Sequence, residues 1–404
     1  MKNKIILITI ILINLIIITF GTIKLYNYIK IKTAKIEIEL VDDLTLGFNE
    51  VKKVSDYIKS INGNIIDDYE IITTKLGTKE IEFKFINEDN IKLNYKFNIN
   101  VVDKKPPIIW LGSTYNIKKG SEDNIVDSVL CGDDFDSKPN CYIEGNYDLN
   151  TIGKYPLEFI AIDSSGNKNT QKFTLNVYDK LNSTSSSNGN TYTDFNKVKE
   201  LYKAEDTKIG LDVSAWQGTI DFEKLKNSGV EFIFIRVGGT IGIEGEYFLD
   251  QEFKRNIEEA NKYDIPVGIY FYSYANSTEK ARENAEWVLK QIKGYKIDLP
   301  IAFDWEEWDE FNDYNLSFYN LTSMAKEFIN VVEESGYKGM LYSSKAYLEN
   351  MWFPIEQDIW LAHYTEQTDY LGKYKVWQLC NNGKIDGIDG YVDINVMYNS
   401  WKIK

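Results

Sequence analysis

Histidine is the scarcest functional side chain here, one in 404 residues, and its scarcity excludes much chemistry. A zinc site built on two or three imidazoles cannot form, and any Ser-His or Cys-His hydrolase would have to run through His363 alone. Three cysteines rule out a four-cysteine zinc ribbon and a disulfide-dense scaffold. Positive charge is short as well. With 46 basic against 61 acidic side chains the net charge is −15, which argues against electrostatic binding of nucleic acid. Carboxylates are plentiful and are the candidates for chemistry. The length and a hydrophobic content of 43% suit about two to four folded domains.

Ile5 to Ile23 form an uncharged run interrupted only by Thr9, Asn14, Thr19, Gly21 and Thr22. As a helix it would span roughly 28 Å, close to the hydrocarbon thickness of a bilayer. No small-residue cleavage pattern and no lipid-accepting cysteine comes after it, so residues 1–32 read as an uncleaved signal anchor, with a cleaved signal peptide as the alternative. Lys2 and Lys4 precede the run, while Lys24, Lys30, Lys32 and Lys35 come after it. Taken literally, that distribution keeps the C-terminal side in the cytoplasm. Long domains translocate despite such charges, and the outward orientation rests on the character of the domains beyond residue 32.

An offset of 76 residues relates Leu76–Lys104 to Ile152–Lys180 without a gap, matching Gly77 with Gly153, Phe83 with Phe159 and Phe97 with Phe173. Apolar and polar residues alternate within each copy, as in Ile81, Phe83, Phe85 and in Phe173, Leu175, Val177, which is strand periodicity. We expect two all-β sandwich modules, 33–104 and 105–180. The second resembles bacterial immunoglobulin-like modules through its PPII entry at 106–109 and its DSSGN turn at 163–167 leading to a TLNV strand. Such modules imply stalks or adhesive spacers. Cys131 and Cys141 lie in it with nine residues between them, and either form a disulfide or remain two thiols. Asp133, Asp134 and Asp136 in the same loop could hold Ca²⁺ or form a solvated acidic turn. The next stretch, LNSTSSSNGNTYTD, has linker composition, and 181–206 is expected to be flexible.

From about 207 to 404 the pattern changes. Short apolar segments at 209–214, 231–238, 266–273, 300–306 and 339–343 alternate with helix-period segments near 249–263, 279–292 and 317–335. Strand-like segments 358–364, 374–379 and 391–397 come next with little helix between them. Alternating β and α units imply parallel strands with helices outside. About eight strands suggest an α/β barrel whose last part is irregular, and in such barrels reactive groups gather at the C-terminal strand ends. Asp212 closes the first strand, Asp304 and Glu306 close the fourth, and Asp393 lies in the last. Residues two apart on a strand share a face, so Asp304 and Glu306 should project together with Trp305 turned away. Crowded carboxylates drive their pKa values apart, the condition under which one acid stays protonated while others ionise in glycoside hydrolysis.

Those residues also carry a resemblance. GLDVSAWQGTIDFEKLKNSGVEFIFIRVG, GIYFYSYA, FDWE, LYSS, IWLAHY, VWQL and YVDINV stand in the order and spacing of glycoside hydrolase family 25, the lysozymes or N-acetylmuramidases of bacteria and phages. The resemblance implies an irregular TIM-like barrel and cleavage of the β-1,4 bond between N-acetylmuramic acid and N-acetylglucosamine. It implies Glu306 as general acid and Asp304 as nucleophile or as the group that orients the substrate's acetamido arm. Asp212 and Asp393 would complete the acidic floor. Tyr270, Tyr272, Tyr342, His363, Trp377 and Gln378 would bind substrate. No cofactor or metal enters this expectation. The expected partners are peptidoglycan glycan strands and, through the N-terminal helix, a cell membrane crossed once with the catalytic domain outside. The alternatives are a surface protein that holds wall glycan without cutting it, and a family 18 chitinase. The chitinase motif requires acids that DLPIAFDWE lacks.

Overall fold

The computed structural model describes residues 2–180, 192–243 and 245–402, with side chains from Ile11 to Asn399 within those ranges. The chain divides into two compact units, Met1–Lys104 and Lys105–Lys404. In the first, a helix Lys2–Lys32 precedes a β module, and its described side chains are exposed throughout. By length and composition, Ile11–Lys32 could cross a membrane.

The repeat in the sequence is a repeat of structure. Gly77–Asn87 pairs antiparallel with Lys92–Val102, and Gly153–Ile162 pairs with Lys168–Tyr178. The register is the same in both, Ile81 facing Phe97 and Leu157 facing Phe173. A parallel strand flanks each hairpin, Thr45–Gly47 in the first and Thr114–Lys118 in the second. Every second residue of these hairpins is buried, so Phe83, Phe85, Phe97 and Ile99 fill one core and Leu157, Phe159, Phe173 and Leu175 the other.

Eight strands of the second unit close into a ring, and we number them in chain order. They are β1 Thr207–Val213, β2 Ile233–Thr240, β3 Val267–Tyr272, β4 Ile301–Asp304, β5 Gly339–Ser344, β6 Asp358–Ala362, β7 Tyr374–Lys384 and β8 Val392–Lys402. β1 to β7 are parallel, while β8 runs antiparallel to both β7 and β1 and closes the sheet. Residues alternate between two environments. Phe232, Phe234, Ala302, Met340, Trp360 and Val376 pack inside the ring, and Ile209, Leu211, Ile269, Phe271, Ile301 and Phe303 pack outward against helices. The interior is tight enough to require glycine: a Cβ on Gly268 would stand 2.3 Å from the Phe234 ring.

Two expectations are corrected. The segment 181–206 is not all linker: residues 181–191 lie outside the described residues, but Thr193–Asp194 adds a strand beside β7 and Phe195–Tyr202 is a helix. Asp194 caps that helix at the Lys197 amide, and Phe195 and Val198 join the outer core. Nor is the second β module a free stalk, because it packs on the ring domain. Its small sheet pairs Ile108–Trp110 with Leu130–Gly132. Alternation there turns Ile109 and Cys131 into the module's own core and turns Ile108 and Leu130 against the core of the ring domain. The Asn312 side chain accepts from the Cys131 amide at 3.0 Å and donates to the Val129 carbonyl at 2.9 Å. The first amides of helix Phe318–Glu334, which have no partner within the helix, donate to the carbonyls of Asp133 and Asp134. Cys131 and Cys141 are joined in a disulfide beneath this contact. Asp133 and Asp134 are buried rather than solvated, and burial pushes the Asp133 pKa up to about 6.

Replacing Asn312 by Ala would leave the Cys131 amide and the Val129 carbonyl without protein partners. We expect a loss of about 1–3 kcal/mol in unfolding free energy, measured by urea denaturation. An unchanged midpoint would contradict the role given to this side chain.

Candidate active site

The inward-facing residues change character at the C-terminal end of the ring. Below lie Phe234 and Trp360, stacked at 4.5 Å between centroids. Above them Asp212 is the penultimate residue of β1, Asp304 ends β4, and Asp393 stands directly opposite Asp212 on β8. Strand β4 stops at Asp304, so Glu306 lies in the loop beyond it and not on the strand as expected. The expected pairing survives that difference. Asp304 and Glu306 come within hydrogen-bonding reach, while Trp305 turns outward, is fully buried and donates its indole N–H to the Ala275 carbonyl at 3.1 Å.

Four carboxyl groups in one small volume cannot all ionise. Burial, then the neighbouring Glu306 and Asp212, raises Asp304 far above the usual carboxylate range. Asp393 is pushed up to about 8 by burial and by Asp212. Glu306 is also raised, first by the protein crowded around it, although its side chain is exposed to solvent in the cleft. Asp304 and Glu306 therefore cannot titrate independently, and burial and mutual repulsion make the pair harder to ionise than free carboxyls. Asp212 rises only to about 6 because two donors oppose its burial. Gln378 Nε2 and Asn395 Nδ2 both reach its Oδ2, at 2.9 and 2.7 Å. Asp304 is 4% exposed, and its Oδ1 has no hydrogen-bond partner among the described residues.

A cation stands close to Asp304. Arg236, on β2, opposes the rise in the Asp304 pKa. Its own charge is countered by the wholly buried Asp250, whose Oδ2 accepts from Nε at 2.8 Å and from Nη2 at 2.7 Å. Asp250 also accepts from the Ala215 amide, which fixes the loop after β1. A cleft of about 300 Å³ opens from Glu306 along Trp308, Tyr342, Lys345, Tyr347, His363 and Tyr364.

The profile of the glycosyl hydrolases family 25 matches residues 211–388. The uncharacterized protein YegX of Escherichia coli K12 is 30% identical over 195 residues, 46% of this chain and 68% of that protein. The chain belongs to glycosyl hydrolase family 25. It is also 25% identical to the autolytic lysozyme of Clostridium acetobutylicum, over 46% of this chain and 54% of that one. Among solved structures, the modular autolysin LytC of Streptococcus pneumoniae in complex with a synthetic peptidoglycan ligand aligns with a TM-score of 0.43 and 25% identity. That alignment covers 61% of this chain, which spans just over half of LytC, 56%.

Within this family 25 domain, the expected substrate contacts divide. His363 lines the cleft, its Nδ1 at 2.9 Å from Thr368 Oγ1. Tyr272 is half-buried and donates to Glu307 at 2.9 Å, and Tyr270 sits inside the ring edge-on to Trp360. Tyr342 lines the cleft but also donates to Gln378 Oε1 at 2.9 Å. Gln378 is buried beneath the cleft, where it accepts from Tyr342 and Tyr364 and donates to Asp212, so it positions that acid. Trp377 is a correction. Strand alternation that turns Gln378 inward turns Trp377 outward, where it packs edge-on to Tyr202 and donates to the His363 carbonyl.

Asn395, Trp360, Glu307 and the Arg236–Asp250 pair were not singled out from the sequence. Asn395 was within reach, because two residues after Asp393 on the same strand means the same face. Trp360 donates to Asn395 Oδ1 at 2.7 Å and so orients the amide that meets Asp212.

A carboxyl whose pKa is raised by folding stabilises the fold below its unfolded pKa near 4 and loses that contribution as pH rises through the folded value. Asp212 and Asp393 set that window at roughly pH 4 to 8. Asp393→Asn should therefore melt higher than wild type at pH 8, by several degrees, with the gap closing towards pH 4. Differential scanning calorimetry across this range checks it; a gap that widens on acidification would reverse the assignment.

Proposed function

We propose that this family 25 domain is a lysozyme, an N-acetylmuramidase that hydrolyses the β-1,4 bond between N-acetylmuramic acid and N-acetylglucosamine in peptidoglycan. The observation that carries the reading is the crowded carboxyl pair of buried Asp304 and Glu306, with Glu306 opening onto the cleft. Glu306, the solvent-facing member, donates the proton to the glycosidic oxygen as the bond to the anomeric carbon breaks. Asp304 stabilises the positive charge that develops there, either as nucleophile or by holding the substrate's acetamido group for attack, and its unpartnered Oδ1 suits the second role. Asp212, held by Gln378 and Asn395, helps to raise the Asp304 pKa, and Asp212 and Asp393 complete the acidic floor beneath the sugar. No step uses a metal or cofactor.

The closed sheet is read as the irregular TIM-like barrel of this family and the two β modules as immunoglobulin-like. The helix Lys2–Lys32 is read as a single-pass membrane anchor with the remaining domains outside the cell, facing the wall. The hydrolase family and the apolar helix support that placement together, since the substrate lies beyond the membrane.

Glu306→Gln should lower kcat by roughly 10² to 10⁴ while leaving the protein folded, with a melting temperature no lower than that of wild type. Mass spectrometry of fragments from defined peptidoglycan should show new reducing ends on N-acetylmuramic acid; reducing ends on N-acetylglucosamine would refute the bond assignment. Protease added to intact protoplasts should release the family 25 domain. If cleavage requires lysis, the orientation is wrong.

A further inference from the structure

The contact between the second β module and the ring domain lies against the aromatic side of the cleft. Trp308, two residues after Glu306, stacks on Tyr347 at 4.0 Å and 17°, and both line the cleft. The next ring along is not part of the family 25 domain. Trp110, in the β module, stands 6.0 Å from Tyr347 at 43°. It shares its strand face with Ile108, which packs against the ring domain's core. Unlike Ile108 it is not covered, remaining 42% exposed.

Three features make this more than incidental packing. The placement is held from several sides, by Asn312 to Val129 and Cys131, by the Asp133 and Asp134 carbonyls on helix Phe318–Glu334, and by Gly132, where a Cβ would meet the Phe318 ring at 2.7 Å. The rings are in unbroken contact, from Trp308 at the Glu306 end of the cleft through Tyr347 to Trp110. Its chemistry suits the substrate, because pyranose rings present C–H faces that pack on indole and phenol planes. A lone exposed tryptophan needs no explanation; one that prolongs the wall of a saccharide cleft from a separate module has a natural occupant.

We infer that the second β module completes the substrate groove, with Trp110 as an outer stacking platform for a saccharide unit remote from the cleaved bond. The inference rests on the muramidase reading. It makes the enzyme selective for long glycan strands, since short oligosaccharides do not reach Trp110.

The test measures kcat/KM for the full chain on purified, uncrosslinked glycan strands and on a series of shorter peptidoglycan oligosaccharides, for wild type, Trp110→Ala and Trp110→Phe. For Trp110→Ala we expect a loss of roughly 5- to 20-fold on long strands, carried mainly by KM, with no loss on the shortest substrate cleaved. Trp110→Phe should recover most of the activity. Equal loss at every length would mean that Trp110 only braces the domain contact, and no loss at any length would mean that it does not touch substrate; either overturns the inference. A wild-type chain that cleaves none of these glycans fails the muramidase reading first, and this inference with it.

Discussion

Four carboxyl groups brought together at one end of a closed sheet are the constraint around which the family 25 domain is arranged. Each loses hydration on burial and each repels the others, so the fold must either supply donors or leave protons in place. It does both. Asp212 receives two amide donors, and Trp360 orients one of them from inside the ring. Asp304 and Glu306 receive no comparable set among the described residues, and their pKa values rise instead. Arg236 is close enough to oppose the Asp304 shift, but Asp250 takes up its charge. Free of that partner, the guanidinium would pull the cluster towards full ionisation and remove the acid that glycoside hydrolysis requires.

The rest of the domain serves this end of the ring. Glycine at 268 lets Phe234 fill the interior, and the Phe234–Trp360 stack forms an apolar floor under the acids. On the other face of β4, Trp305 locks the loop after Asp304 into the outer core, which leaves Glu306 facing the cleft. The β module packed against this loop adds a second layer of support. It satisfies amides at the start of helix Phe318–Glu334 and seats Asn312, so the segment from Glu306 to Phe318 is held from both sides. A module that packs on the ring domain and braces the segment after Glu306 is a different object from a spacer, although its sequence has the features of a spacer.

Much of this was legible in the chain. Period-two alternation marked the hairpins and their buried faces, and the offset of 76 residues corresponds to an identical strand register. The alternation of apolar strands and amphipathic helices marked the ring, and acids near strand ends marked the end of it where the carboxyl groups gather. Local rules misled where tertiary context overrode them. Trp377 looked like a sugar platform because it is aromatic and belongs to a matching motif, yet its neighbour Gln378 takes the inward position. The segment after 191 looked flexible because its composition is polar, yet Phe195 and Val198 anchor a helix on the outer core.

Sequence alone determined the elements, the faces of the strands and the identity of the four acids, because these depend on spacing along a chain of known geometry. Tertiary structure decided which donors meet which acid, whether Arg236 acts on the cluster, and that the β module docks beside the cleft. Those outcomes join residues as distant in the chain as Asp212 and Gln378, or Cys131 and Asn312, and no local pattern encodes them. Desolvation and Coulomb interaction, which set the chemistry of the site, depend on distances that exist only once the ring has closed.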